Sequence, residues 1–74
     1  MTAKEIKEVL FKECAEACEE FYQVSNYAFS EDYGEMIEYK QKCIKFCTLF
    51  RLVAYDLELE DEFYEFKKKN GYKM

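Results

Sequence analysis

Four cysteines in two identical spacings, Cys14-x-x-x-Cys18 and Cys43-x-x-x-Cys47, form the one constellation in this chain whose residue types can carry chemistry. On a helix, residues four apart share a face with their β-carbons about 5–6 Å apart, so each pair presents two thiols side by side. Residues at equal height in an antiparallel hairpin have position numbers that add to a constant. Cys14 with Cys47 and Cys18 with Cys43 give the same total, 61, which places the turn between residues 30 and 31. Packed helices lie about 8–10 Å apart, so this register predicts that all four sulfurs meet in one layer.

Four thiolates in a small volume suit soft or borderline metals: Cu(I), Zn(II) or an iron–sulfur cluster. The same register permits two interhelical disulfides, Cys14–Cys47 and Cys18–Cys43, if the α-carbons come within about 7 Å. A third reading is four inert core residues, because free cysteine packs as a small hydrophobe. The spacing alone leaves all three open. What is missing narrows the rest: with no histidine, neither Ser-His-Asp nor Cys-His catalysis, the HExxH zinc site nor the paired Cys/His zinc finger can be written. No proline and only two glycines remove phosphate-cradling loops and proline-rich ligand segments. A nucleophilic cysteine needs a base or a cation to lower its pKa, and Glu13, Glu16, Glu19 and Glu20 surround the first pair. Lys42 and Lys45 flank Cys43 but point away from a buried seam. No enzyme is expected.

The elements that must position the thiols are helical. Apolar residues at Ile6, Leu10, Cys14, Ala17, Cys18, Phe21, Val24 and Ala28 recur at three and four, predicting an amphipathic helix over about 3–29. Thr2 and Glu5 supply a capping box at its start. Residues 30–34 break the pattern, with Ser30 or Asp32 able to cap the next helix. A second stripe, Met36, Tyr39, Cys43, Phe46, Phe50, Val53 and Leu57, predicts a helix over about 35–57. Ile44, Leu49 and Leu52 lie off that stripe, so this helix needs neighbours on two sides. An acidic kink at 56–61 then leads to a short helix over about 60–69, carrying Phe63, Tyr64 and Phe66 and stopping near Asn70-Gly71.

The expected fold is all-α: one domain over residues 1–74, a long antiparallel hairpin plus a short third helix. Half the residues are apolar and fourteen are Phe or Tyr, too hydrophobic for a disordered acidic tail. A domain of about 60 residues buries only about 60% of its unfolded surface. A metal, a disulfide pair or a second copy is therefore expected to add stability, the last completing a four-helix-type bundle as a dimer or tetramer. A net charge of −5 argues against a nucleic-acid partner. No stretch reads as a targeting signal or a bilayer span, so no membrane partner and a cytoplasmic location are expected. Aromatics such as Tyr22, Tyr27, Tyr55 and Tyr64 suit a protein interface.

The stretch Cys14-Ala15-Glu16-Ala17-Cys18-Glu19, then Ser30-Glu31-Asp32 leading to Met36, then a helix closing on Arg51-Leu52, resembles the bacterial cysteine-rich four-helix-bundle copper storage proteins. The likeness spans roughly residues 10–57. It implies Cu(I) bound inside a bundle by Cys14 with Cys18 and by Cys43 with Cys47. That family lines its whole core with cysteines and usually adds histidine at the open end. Four cysteines and no histidine correspond to one small site, not a high-capacity store. The twin spacing is also similar to that of small mitochondrial intermembrane-space chaperones, whose paired motifs form hairpin disulfides, though the segment between the motifs is longer here. The resulting expectation is a small metal-binding protein holding Cu(I), or else Zn(II) or an iron–sulfur cluster, through Cys14, Cys18, Cys43 and Cys47. The competing expectation is a structural or interaction hairpin stapled by disulfides.

Overall fold

The computed structural model describes residues 1–72, which form three α-helices: α1 (Ala3–Gln23), α2 (Tyr33–Arg51) and α3 (Glu60–Lys69). No strand occurs among the described residues. The start of α1 is the expected capping box. The Glu5 N–H donates to the Thr2 hydroxyl, and the Thr2 N–H donates to the Glu5 carboxylate, both at 3.2 Å. Asp32 caps α2 by accepting from the Glu35 N–H at 3.0 Å, so this helix begins two residues earlier than the apolar stripe suggests.

The first helix is shorter than expected. α-Helical geometry ends at Gln23, and Ser25–Phe29 winds into a tighter 3₁₀ helix. Val24, Ser25 and Asn26 are weak helix formers. The Ser25 hydroxyl also donates back to the Tyr22 carbonyl at 2.9 Å, competing with the regular ladder. The second helix likewise does not run to residue 57. Beyond Arg51 it widens into a π turn over Leu52–Asp56, where the Leu57 N–H reaches back to the Leu52 carbonyl at 2.9 Å. Glu58 then adopts a left-handed φ of 54°, and the Leu59 N–H closes on the Val53 carbonyl at 2.8 Å. This is the expected kink, with Val53 and Ala54 turned into the core.

α3 ends in a Schellman motif. Gly71 takes a positive φ of 74°, the Tyr72 N–H donates to the Lys67 carbonyl at 2.9 Å, and Tyr72 stacks on Phe66 at 6.0 Å. Glu60, Asp61 and Glu62 occupy its first turn and Lys67, Lys68 and Lys69 its last, matching the helix dipole.

Packing follows a line of aromatic rings. Tyr39 meets Phe21, Phe21 stacks on Phe46, Phe46 meets Phe50, Phe50 meets Phe63, Phe63 meets Phe11 and Phe11 meets Phe66, with centroids 5.6–6.2 Å apart. α1 is the central element, contacting both other helices. Phe11, Cys14, Ala15, Val53 and Phe63 form the fully buried centre. The buried face of α1 is therefore rotated from the expected stripe: Phe11 and Ala15 are inside, while Ile6 is about half exposed. α3 causes the rotation by covering a flank that a two-helix hairpin leaves open. No α2 residue is fully buried, and Ile44 is 66% exposed. Among the described residues nothing covers this outer face of α2.

Phe63→Ala, which empties the contact between all three helices, is expected to cost about 3–5 kcal/mol in urea unfolding, approaching the whole stability of so small a domain. Asp32→Ala, which removes only a cap, is expected to cost about 1 kcal/mol.

Candidate functional site

The two cysteine pairs lie in opposite environments. Cys14 and Cys18 project from α1 into the core, where they are 0% and 4% exposed. α3 lays Phe63 against this region and brings in Lys67, itself 4% exposed, whose ammonium donates to the Cys18 sulfur at 3.8 Å and sits 5.5 Å over the Phe63 ring. Burial, and then the charge of Cys18, push the Cys14 thiol from its ordinary 9.0 up to about 11, with Lys67 pulling the other way. Burial disfavours the charged thiolate, so Cys14 stays protonated at neutral pH.

Cys43 and Cys47 form the outer pair. Cys43 is half-buried and Cys47 exposed, and their sulfurs lie 3.9 Å apart in hydrogen-bonding contact. Partial burial, and then the hydrogen bond and charge of Cys47, raise the Cys43 pKa. Cys43 therefore resists ionising beside Cys47 unless a cation joins the pair. Cys47 lines a shallow hollow of about 360 Å³ with Thr48, Phe50, Arg51 and Tyr55.

The expected single layer of four sulfurs does not form. The height relation holds: Lys42 and Lys45 both reach Glu20, at 3.1 and 3.7 Å, and Phe21 meets Tyr39. The facing is what differs. Phe46 marks the seam of α2 by stacking on Phe21. A helix turns about 100° per residue, so Cys47 lies about 100° round from Phe46, and Cys43 about 60° round on the same side. α1 meanwhile turns Cys14 and Cys18 toward α3. Among the described residues, no group of three or more His, Cys, Asp or Glu side chains converges to hold an ion. All four thiols are free, and neither Cys14–Cys47 nor Cys18–Cys43 is joined.

Lys67 and Arg51 are the site residues that spacing did not reveal. Lys67 belongs to a run of three lysines that reads as a helix terminus, and its depth depends on where Phe63 docks. Arg51, four residues beyond Cys47, was available to the same i, i+4 rule that pairs the cysteines. Comparison with protein families, with curated proteins and with solved structures finds no match to this chain.

Two of the four thiols, Cys43 and Cys47, are expected to react quickly with a soluble aromatic disulfide on the native reduced protein, the other two only as fast as the fold opens. Four equal rates would contradict this difference in burial. The raised Cys14 pKa also has a thermodynamic sign: a group more readily protonated in the folded chain stabilises it fully below its ordinary pKa of 9.0 and loses that contribution as pH rises through about 11. The stability advantage of the wild type over Cys14→Ala is thus expected to shrink across that interval in denaturation curves.

Proposed function

We propose that this chain is a small, non-enzymatic, cytoplasmic protein that holds a thiophilic metal ion through its Cys-x-x-x-Cys motifs. Cu(I) stands first among the ions, with Zn(II) or an iron–sulfur cluster as the others. The observation that carries this reading is the outer pair, two soft donors on one helix face with sulfurs 3.9 Å apart and one of them open to solvent. Zinc–sulfur bonds of about 2.3 Å at a tetrahedral angle separate two sulfurs by about 3.8 Å, so the pair already spans one edge of such a site. A side-chain rotation opens it toward the wider, near-linear span that a two-coordinate ion takes.

Cys43 and Cys47 are the primary ligands in this reading, and Cys14 with Cys18 are the inner pair. Cys14 can join only after losing the proton that its burial retains, and the Lys67 ammonium competes with a metal cation for Cys18. The bound ion supplies the charge that lets two adjacent thiolates coexist. Homo-oligomerisation belongs to the same reading, because α2 and its π turn leave Tyr33, Ile37, Ile44 and Tyr55 uncovered and a second copy completes a four-helix-type bundle.

Titration of the fully reduced protein with Cu(I) against a colorimetric chelator tests this. The outer pair is expected to compete for the ion, Cys43→Ser or Cys47→Ser to lower affinity by at least about a hundredfold, and Cys14→Ser with Cys18→Ser to lower it by less than about tenfold. Ligands must shed protons, so affinity is expected to fall with falling pH. Absence of metal uptake by the reduced protein ends the reading. An interaction hairpin would instead keep its partner binding when all four cysteines are serine.

A further inference from the structure

Two sulfurs make half of a tetrahedral thiolate site, and the outer pair has no third donor of its own chain in reach among the described residues. The pair sits on the border of an uncovered apolar face. Tyr33, Ile37, Ile44 and Tyr55 recur at helical spacing along the outside of α2 and its π turn, 77%, 36%, 66% and 71% exposed. A face of this kind on a domain with so small a core is an interface feature.

We infer that a second copy of this chain covers that face and completes the site, so that one metal ion is held by Cys43 and Cys47 of both copies. This inference rests on the metal-binding function proposed for the outer pair. Closed dimers are two-fold symmetric and present the same patch on both sides. A two-fold axis crossing α2 at the level of Lys45, midway between the cysteines, sets Cys43 of one copy opposite Cys47 of the other, twice. The helices then run antiparallel, as their dipoles favour. Tyr33 and Ile37 of each copy lie toward Tyr55 and Leu57 of the other, and Leu57 is itself 47% exposed.

Charge makes the assembly conditional on the metal. Lys40 stands one turn before Cys43, and Arg51 lines the hollow beside Cys47. Antiparallel pairing brings Lys40 of one copy near Arg51 of the other, which repels while the thiols are neutral. Four thiolates around a divalent ion carry a negative excess, and these four cations then become its counter-charge. Dimer and metal are therefore linked, each strengthening the other.

The test uses the reduced full chain with Zn(II), and with Co(II) as a coloured substitute, followed by native mass spectrometry and sedimentation. The expected result is one ion per two chains, a monomer–dimer shift on metal addition that chelator reverses, and the intense visible bands of tetrahedral cobalt with sulfur-to-metal charge transfer. Ile44→Glu, at an exposed position that leaves both ligands and the fold intact by circular dichroism, is expected to abolish the dimer and weaken metal binding at least about tenfold. One ion per monomer with no change of mass overturns the shared site while leaving the metal-binding reading standing. A dimer unaffected by metal or by Cys43→Ser overturns the linkage, and absence of Zn(II), Co(II) and Cu(I) binding removes both proposals together.

Discussion

The ring of Phe63 packs at once against Phe11 of α1 and Phe50 of α2, and through that triple contact the third helix is held to the hairpin. Phe66 against Phe11, Tyr64 against Phe50 and Lys67 against Cys18 add to this hold. The ion pair of α3 to α1, Lys7 with Glu62, is exposed on both sides, and such pairs contribute at most about 1 kcal/mol. Complete burial of a phenylalanine contributes about 1.5–3 kcal/mol, a large share of what a domain this size has to spare. Once Phe63 is seated, Cys14 and Cys18 are covered, Val53 is enclosed and Lys67 is carried to the Cys18 sulfur. The placement of one aromatic ring therefore decides the electrostatic surroundings of two thiols.

The outcome is one functional group in two states of availability. The inner thiols are buried beside Phe63, and burial keeps Cys14 protonated even though the Lys67 ammonium nearby favours its thiolate. The outer thiols share a hydrogen-bonded contact at the edge of solvent. Identical spacing gave no hint of this division, because i, i+4 geometry fixes only that two side chains share a face. It does not say which face the rest of the chain will cover.

Much of the scaffold was legible in the residues. The Thr2–Glu5 box, the Asp32 cap, the break near residues 30–34, the kink after Asp56 and the Gly71 stop are local hydrogen-bonding or dihedral requirements, and local requirements are written in local sequence. The height match of the two helices was legible for the same reason. Their rotation about their own axes was not, because it reflects a competition between faces. Phe46, Leu49 and Phe50 outweigh Cys43 for the seam of α2, being larger and more apolar, and α3 draws Phe11, Cys14 and Cys18 to the far side of α1. The third helix was expected, but the flank of α1 on which it docks was not, and that docking supplies the pull. The stripe through Cys43 and Leu57 had the right period and a phase shifted toward solvent.

The widened turn at Leu52–Asp56 gives this phase an unexpected seat. A π turn accommodates one residue more than an α turn, so the chain beyond it is rotated by about 100° relative to an uninterrupted helix. In genetic terms it resembles a one-residue insertion at the end of α2, after which the left-handed Glu58 turns the chain out of the helix. Loss of a single codon there shifts the point and direction at which the chain leaves α2, and with it the path that carries Phe63 to Phe11 and over Cys14. The burial of the inner cysteines is thus encoded in the length of a segment that contains no cysteine.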